Sequence, residues 1–225
     1  MKYTTLYFDL DNTLLDFSAA ERNAILKLLS LHGIEPKPEY VGIYSEINRK
    51  VWERFERGEI KRSEIFESRF VEFLRVIGES ANTAKMSSDY FSLLAQGHDA
   101  VKGAKEVLKY VKDKGYTVCI TTNGVSFTQH KRIRESGLEG FFDYIFISED
   151  TGHQKPEKEY FDYVLKNTPE KDRKRILVIG DSQSSDILGG INAGIDTCWL
   201  NPKKAPKQYR PTYEIYDITE LISIL

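Results

Sequence analysis

The pair Asp9 and Asp11 is the first feature of this sequence that could do chemistry. It follows Thr5-Leu6-Tyr7-Phe8, whose β-branched, aromatic and apolar residues read as a buried strand ending in a turn. Side chains alternate in direction along an extended backbone, so aspartates two residues apart can project to the same side. Neighbouring carboxylates repel unless a cation or a shared proton lies between them, which points to a metal-assisted site. Turn chemistry alone also favours Asp-x-Asp at a strand end, because Asp and Asn side chains bond nearby backbone amides. A calcium loop opens the same way, but it needs Gly at its sixth position and Glu at its twelfth, where this chain has Leu14 and Ala20.

Further reactive groups stand at the ends of later apolar runs. Thr122, Asn123 and Gly124 follow a strand-like run over 116–121, and Lys155-Pro156 follows another over 144–148. Gly180, Asp181, Ser182 and then Asp186 follow a third over 176–179. Ligands of open α/β sheets bind outside the carboxyl ends of the strands, so these residues would meet Asp9, Asp11 and Thr13 on one rim. Each alone has a plainer explanation: Thr122-Asn123-Gly124 makes a good turn, and a lone lysine is commonly a solvated charge. Together they suit phosphoryl transfer. Magnesium takes one or two carboxylates, several waters and a substrate phosphate, and Asp9, Asp11 and Asp181 could supply such ligands. A carboxylate can also serve as nucleophile, and a second can protonate the leaving oxygen. The Thr122 hydroxyl and nearby amides could hold phosphate oxygens while Lys155 offsets their charge.

The elements that must position these groups fall into two blocks. Between the first strand and residue 97 the pattern is helical throughout. Ser18-Ala19-Ala20-Glu21 has capping-box spacing, and apolar stripes then run through Ile25, Leu28 and Leu29, through Tyr44, Ile47, Val51 and Phe55, and through Phe66, Phe70, Phe73 and Leu74. Ser63 is expected to open the third of these helices, and a fourth passes through Tyr90, Leu93 and Leu94. From Gly103 onward helices and short apolar strands alternate, with helices expected over 104–114, 126–136 and 156–167, the last opened by Pro156. Strand runs at 196–200 and 213–216 complete the pattern. Such alternation predicts an α/β fold with a doubly wound parallel sheet. The expected division is a core over 1–16 and 97–225 with an inserted helical cap over 17–96; in the core, Gly189 and Gly190 let their helix pack closely on the sheet.

Composition narrows the partners. At 225 residues the chain is long enough for one sizeable core with an insertion. A net charge of −2 gives no electrostatic reason to bind nucleic acid or an anionic membrane. No apolar run approaches the ~20 residues that span a bilayer, and there is no signal-peptide pattern, so the expected compartment is the cytoplasm. Cys119 and Cys198 lie inside strand-like runs and read as small buried residues, not a disulfide. A monomer or small homo-oligomer acting on a small-molecule phosphomonoester is expected.

The sequence resembles the haloacid dehalogenase superfamily, with that family's four motifs in order: Asp9-Leu10-Asp11-Asn12-Thr13, Thr122-Asn123, Lys155-Pro156 and Gly180-Asp181-Ser182-Gln183-Ser184-Ser185-Asp186. The resemblance spans essentially the whole chain. It implies Asp9 as nucleophile, Asp11 as general acid and base, and magnesium held by Asp9, the Asp11 backbone carbonyl and Asp181. It also implies supporting positions for Thr13 and Asp186, the latter through water or towards Lys155, and a small α-helical cap of the C1 type that closes over substrate. The dehalogenases of that superfamily lack the second aspartate, so Asp11 indicates a phosphatase. A finer resemblance, to the noncanonical pyrimidine nucleotidase branch, rests on residues 120–124, Ile147-Ser148-Glu149, residues 186–194 and Cys198-Trp199-Leu200-Asn201. It implies nucleoside monophosphates as substrates.

Other phosphatases of the superfamily, for sugar phosphates or phosphoglycolate, and its phosphomutases share every motif and would differ in the cap. There Trp52 could stack on a base and Lys61 or Arg62 could meet a phosphate, although Trp52 also suits a buried cap core; Arg69 and His98 read either way. A receiver-type signalling domain, the reading from another class, places its phosphorylated Asp after strand three, where this chain has Ser148-Glu149-Asp150. It also lacks a helical insertion of this length.

Overall fold

Short continuous apolar runs become the strands, because a parallel sheet buries both of its faces. In the computed structural model, which describes residues 1–225, β1 (Thr5–Phe8) leads into α1 (Phe17–Leu31), α2 (Pro38–Glu56), α3 (Arg62–Ile77) and α4 (Thr83–Leu94). Helices and strands then alternate through α5 (Ala104–Asp113), β2 (Thr117–Thr122), α6 (Ser126–Glu135), β3 (Tyr144–Ile147), the single turn α7 (Ser148–Thr151) and α8 (Lys158–Lys166). The chain ends with β4 (Ile176–Gly180), a π-helical turn over Gln183–Ile187, α9 (Leu188–Ala193), β5 (Asp196–Leu200), β6 (Tyr213–Ile215) and α10 (Leu221–Ile224). No helix is long and apolar enough to cross a membrane. Two compact units result, Met1–Asp16 with His98–Leu225, and Phe17–Gly97.

The first unit is built on six parallel strands in the order β3-β2-β1-β4-β5-β6. The chain steps outward from β1 to β2 and β3, then returns to β4 on the other side of β1. That reversal opens a crevice at the carboxyl ends of β1 and β4, where open α/β sheets bind ligands. Register brings the strand ends level: Phe8 lies beside Ile120 on one side and Ile179 on the other. Alternation along β1 sorts the core, with Leu6 and Phe8 packing towards Val107, Leu108 and Val111 of α5. Tyr7 packs on the opposite face with Tyr160, Phe161 and Val164 of α8. Cys119 and Cys198 are both free and buried, one in each of these cores. Where the chain leaves and rejoins this unit its two crossings run together, Asp16 N–H donating to Asp99 C=O and Val101 N–H to Leu14 C=O.

The helical unit has an aromatic centre, with Tyr44 packed 5.4 Å from Phe70, Phe73 and Tyr90 between ring centroids. Arg69 is buried beside it, over the Phe70, Tyr90 and Phe91 rings. Its Nη1 donates to Asn48 Oδ1, and Asn48 Nδ2 donates in turn to Glu21 Oε1, both at 2.8 Å. Arg69 is thus an interior group that links three helices through polar contacts.

Three helix starts differ from the sequence-based expectation. α1 begins at Phe17, which puts Ser18 inside its first turn. α3 begins at Arg62 ahead of Ser63, because Glu64 Oε2 accepts from Lys61 N–H at 2.8 Å and closes the cap one residue earlier. α8 begins at Lys158 and not Pro156, since Glu157 N–H closes a turn onto Gln154 C=O at 2.8 Å.

The expectation for Gly190 can be stated in atoms. A Cβ there would lie 2.3 Å from Thr197 Cγ2, so α9 approaches β5 this closely only without a side chain. Gly42, on α2, has open space around the same position. Gly190→Ala is therefore expected to destabilise the protein by about 1–3 kcal/mol through overpacking, and Gly42→Ala to stabilise it by up to about 1 kcal/mol. Urea unfolding of the two variants checks this; equal effects would show that α9 can move off the sheet freely.

Candidate active site

Strand ends deliver the expected residues to one rim. Asp9 continues β1, its N–H donating to Ile179 C=O at 2.8 Å, and the chain then folds back as Leu14 and Leu15 N–H donate to Leu10 C=O. Asn12 takes a left-handed conformation (φ 58°) in that turn, one that Asn tolerates better than most residues. The turn separates the two aspartates by environment: Asp9 is buried, with 7% of its surface exposed, whereas Asp11 is half-buried. Thr13 is fully buried in the same loop.

Lys155 is the centre of the buried half. Only 1% of it is exposed, and its ammonium donates to Asp9 Oδ1 (2.7 Å), Thr121 C=O (2.8 Å) and Asp186 Oδ1 (2.6 Å). Asp186 Oδ2 accepts from Ser182 N–H at 3.0 Å, so both of its oxygens are engaged. Asn123, expected at the phosphate, uses its side-chain amide elsewhere. Its Oδ1 accepts from Lys155 N–H and its Nδ2 donates to Lys155 C=O, which fixes the backbone that carries the lysine. Asp181 is held from β5, where Trp199 Nε1 donates to its carbonyl at 2.8 Å.

Carboxylate oxygens of Asp9, Asp181 and Asp186 lie within 4.8 Å of one another. One ammonium faces three carboxylates there. Burial pushes Asp9 up to about 7, partly offset by Lys155 and reinforced by Asp186 and Asp11. Burial likewise raises Asp181, with the charges of Asp9 and Asp186 adding to it. Burial alone would lower Lys155, but Asp186 and Asp9 hold its ammonium above the ordinary lysine range. A buried surplus of negative charge on hard oxygen donors fits a divalent cation such as magnesium.

Asp11 faces α6 instead. Arg132 Nη1 donates to its Oδ1, and Gln129 Nε2 donates to its Oδ2 at 2.8 Å. The same Gln129 amide donates to Thr122 Oγ1 at 2.9 Å. Gln129 and Arg132 are not evident from sequence, because polar residues at i and i+3 ordinarily mark a solvated helix face. Their one signal is position, on the first two turns after Thr122-Asn123-Gly124.

Comparison with known proteins finds relatives over the whole chain. Residues 6–200 match the family described as haloacid dehalogenase-like hydrolase. The chain belongs to that family. It is 43% identical to HAD-hydrolase YfnB of Bacillus subtilis (strain 168), over 100% of this chain and 96% of that one. A crystal structure of YfnB bound to magnesium, described as revealing interdomain movement, superposes with a TM-score of 0.94 at 42% identity, covering 100% of this chain and 99% of that one. Pyrimidine 5'-nucleotidase PynA of Streptococcus pneumoniae (strain ATCC BAA-255 / R6) is 35% identical, over 100% of this chain and 96% of its own. Pyrimidine 5'-nucleotidase YjjG of Escherichia coli (strain K12) is 31% identical, over 100% and 99% respectively.

The residues expected to choose the substrate are a looser group. Within the helical unit Trp52 is half-buried with its ring edge against Phe55, 5.8 Å between centroids, and Arg62 lies over the same Phe55 ring. Lys61 is exposed. Trp52 and Arg62 are thus tied to a small cluster around Val51, Phe55 and Ile65.

The raised carboxyls fix a sign for pH. Asp9 and Asp181 hold their protons more tightly in the folded chain than in the unfolded one. Their contribution to the stability of the metal-free fold is therefore full below the ordinary carboxylate range, near pH 4, and is lost as pH rises through about 7. In chelator, the thermal midpoint is expected to fall between pH 5 and 8. Asp181→Asn, which resembles the protonated acid, is expected to raise the midpoint at pH 8 by about 3 °C or more and to leave it nearly unchanged at pH 5. No gain at pH 8 would mean that the clustered carboxylates do not repel one another in the folded chain.

Proposed function

We propose that this chain is a magnesium-dependent phosphomonoesterase that carries the phosphoryl group on Asp9 and acts on nucleoside 5'-monophosphates, pyrimidine ones foremost. The family and its nucleotidase members make the chain a phosphoric monoester hydrolase. The observation that carries the mechanism is the contrast between its two motif aspartates. Asp9 is buried against an ammonium, as a nucleophile aimed at a phosphorus atom requires. Asp11 is half-buried and held by neutral and cationic donors from a different element, as a group that exchanges protons requires.

Asp9 Oδ1 is bound to Lys155, so Oδ2 attacks the phosphorus atom. As that bond forms the ester P–O bond breaks, and the proton on Asp11 moves to the leaving oxygen, which departs as an alcohol. A water molecule then attacks the phosphorus atom, Asp11 takes its proton, and the Asp9–phosphorus bond breaks to release inorganic phosphate. Thr122 and the amides after it hold the non-bridging oxygens, while the Lys155 ammonium favours the ionised form of Asp9 beside an anionic substrate. Asp9 and Asp181, with the Asp11 backbone carbonyl, would hold magnesium; Asp186, with both oxygens engaged, would support them. Bound there, the metal would neutralise charge on the phosphoryl oxygens. We assign the choice of leaving group to the inserted 17–97 region, and the nucleotide preference is supported by the likeness to PynA and YjjG over the full chain.

Phosphate release from a panel of UMP, dUMP, dTMP, sugar phosphates and phosphoglycolate tests both parts. A preference for the pyrimidine nucleotides is expected, abolished by chelator and reduced at least ~10³-fold in Asp9→Asn. Preference for a sugar phosphate would sink the substrate assignment and keep the chemistry. Undiminished activity in Asp9→Asn would overturn the chemistry itself.

A further inference from the structure

Gln129 and Arg132 lie three residues apart on α6, so both side chains face the same way. Gln129 is 1% exposed and Arg132 is wholly buried, so neither belongs to a solvated surface. Their contacts have a single sense. Arg132 Nη1 donates to Asp11 Oδ1 and also to Gln129 Oε1 (3.1 Å), which fixes the Gln129 amide with its NH2 turned towards Asp11 and Thr122. That NH2 donates to Asp11 Oδ2 and to Thr122 Oγ1. Thr122 Oγ1 also accepts from Gly124 N–H at 3.2 Å. A hydroxyl whose lone pairs already receive two N–H donors presents its own proton to the next acceptor, here an incoming phosphate oxygen. The backbone leaves space for this arrangement. A Cβ on Gly124 would lie 2.4 Å from Gln129 Nε2, so only glycine at this turn lets the amide reach both partners.

We propose that Gln129 and Arg132 are positioning residues for the reaction. Arg132 orients the Gln129 amide and one oxygen of Asp11; Gln129 holds the other Asp11 oxygen and turns the Thr122 hydroxyl into a donor. Neither residue touches the reacting atoms. The inference rests on reading Asp11 as the proton donor to the leaving group, and it adds that Asp11 is delivered by α6 and not by its own loop.

The test compares kcat/KM, which ends at loss of the leaving group, for a nucleoside 5'-monophosphate and for p-nitrophenyl phosphate. The alkyl oxygen needs a proton to leave and the nitrophenolate does not. Asp11→Asn serves as the reference, alongside Gln129→Leu, Arg132→Met, Arg132→Lys and Gly124→Ala, each with its thermal midpoint. Arg132→Met and Gln129→Leu are expected to lose ~10²-fold or more on the nucleotide and less than ~10-fold on the nitrophenyl ester, the pattern of lost proton transfer. Arg132→Lys should recover part of that loss, and Gly124→Ala should resemble Gln129→Leu. Should Arg132→Met fail to fold, Gln129→Leu and Gly124→Ala carry the same contrast. Equal losses on both esters in folded variants, or no loss, would overturn the proposal while leaving Asp11 as the acid. If Asp11→Asn itself loses equally on both esters, the reading of Asp11 fails and this inference fails with it.

Discussion

A lysine ammonium with almost no exposure to water must be surrounded by acceptors or lose its charge. Lys155 has three, and they come from three strand ends: Asp9 after β1, the Thr121 carbonyl of β2, and Asp186 in the turn after β4. Removing any of them would leave one of its N–H donors buried without an acceptor, at a cost of about 1–3 kcal/mol. This requirement fixes the sheet ends against one another more tightly than apolar packing would, because hydrogen-bond geometry is directional. Asn123, bonding the Lys155 backbone on both sides, ties the loop after β2 into the same arrangement.

The excess of carboxylate over ammonium has the opposite character. Burial, with the closeness of Asp9, Asp181 and Asp186 adding to it, raises the protonation of two of them, so the fold carries an electrostatic strain that a cation relieves. The polar atoms around them are already directed. Ser182 N–H is on Asp186, Trp199 holds the Asp181 carbonyl, and Gln183 Oε1 accepts from the Gln208 and Tyr209 amides of the loop before β6. Such preorganisation limits how much must rearrange when charge moves through the site.

Two aspartates two residues apart end in unlike surroundings because the turn at Asn12 sends them to different partners. Asp9 belongs to the buried lysine, and Asp11 belongs to α6. Separate environments for paired carboxylates are how one site supports two roles at one pH.

The sequence alone determined the elements. Apolar runs too short for helices specified strands, glycines ended helices, and the change from continuous helix to alternation marked an α/β sheet with a helical insertion; the family assignment agrees with all of this. It also marked Asp9, Thr122, Lys155 and Asp181, because reactive types at strand ends stand out against apolar neighbours. Only the tertiary structure decided what those residues touch. The strand order puts β4 beside β1, and that adjacency, invisible in a linear pattern, is what brings Asp186 and Lys155 together across 31 positions. It likewise set the Asn123 side chain against the backbone of Lys155. It drew Arg69, which read either way in the sequence, into the interior, together with Gln129 and Arg132, which no local pattern singled out. Local sequence sets which conformation a segment prefers, but the burial and partners of a polar side chain depend on residues far away in the chain.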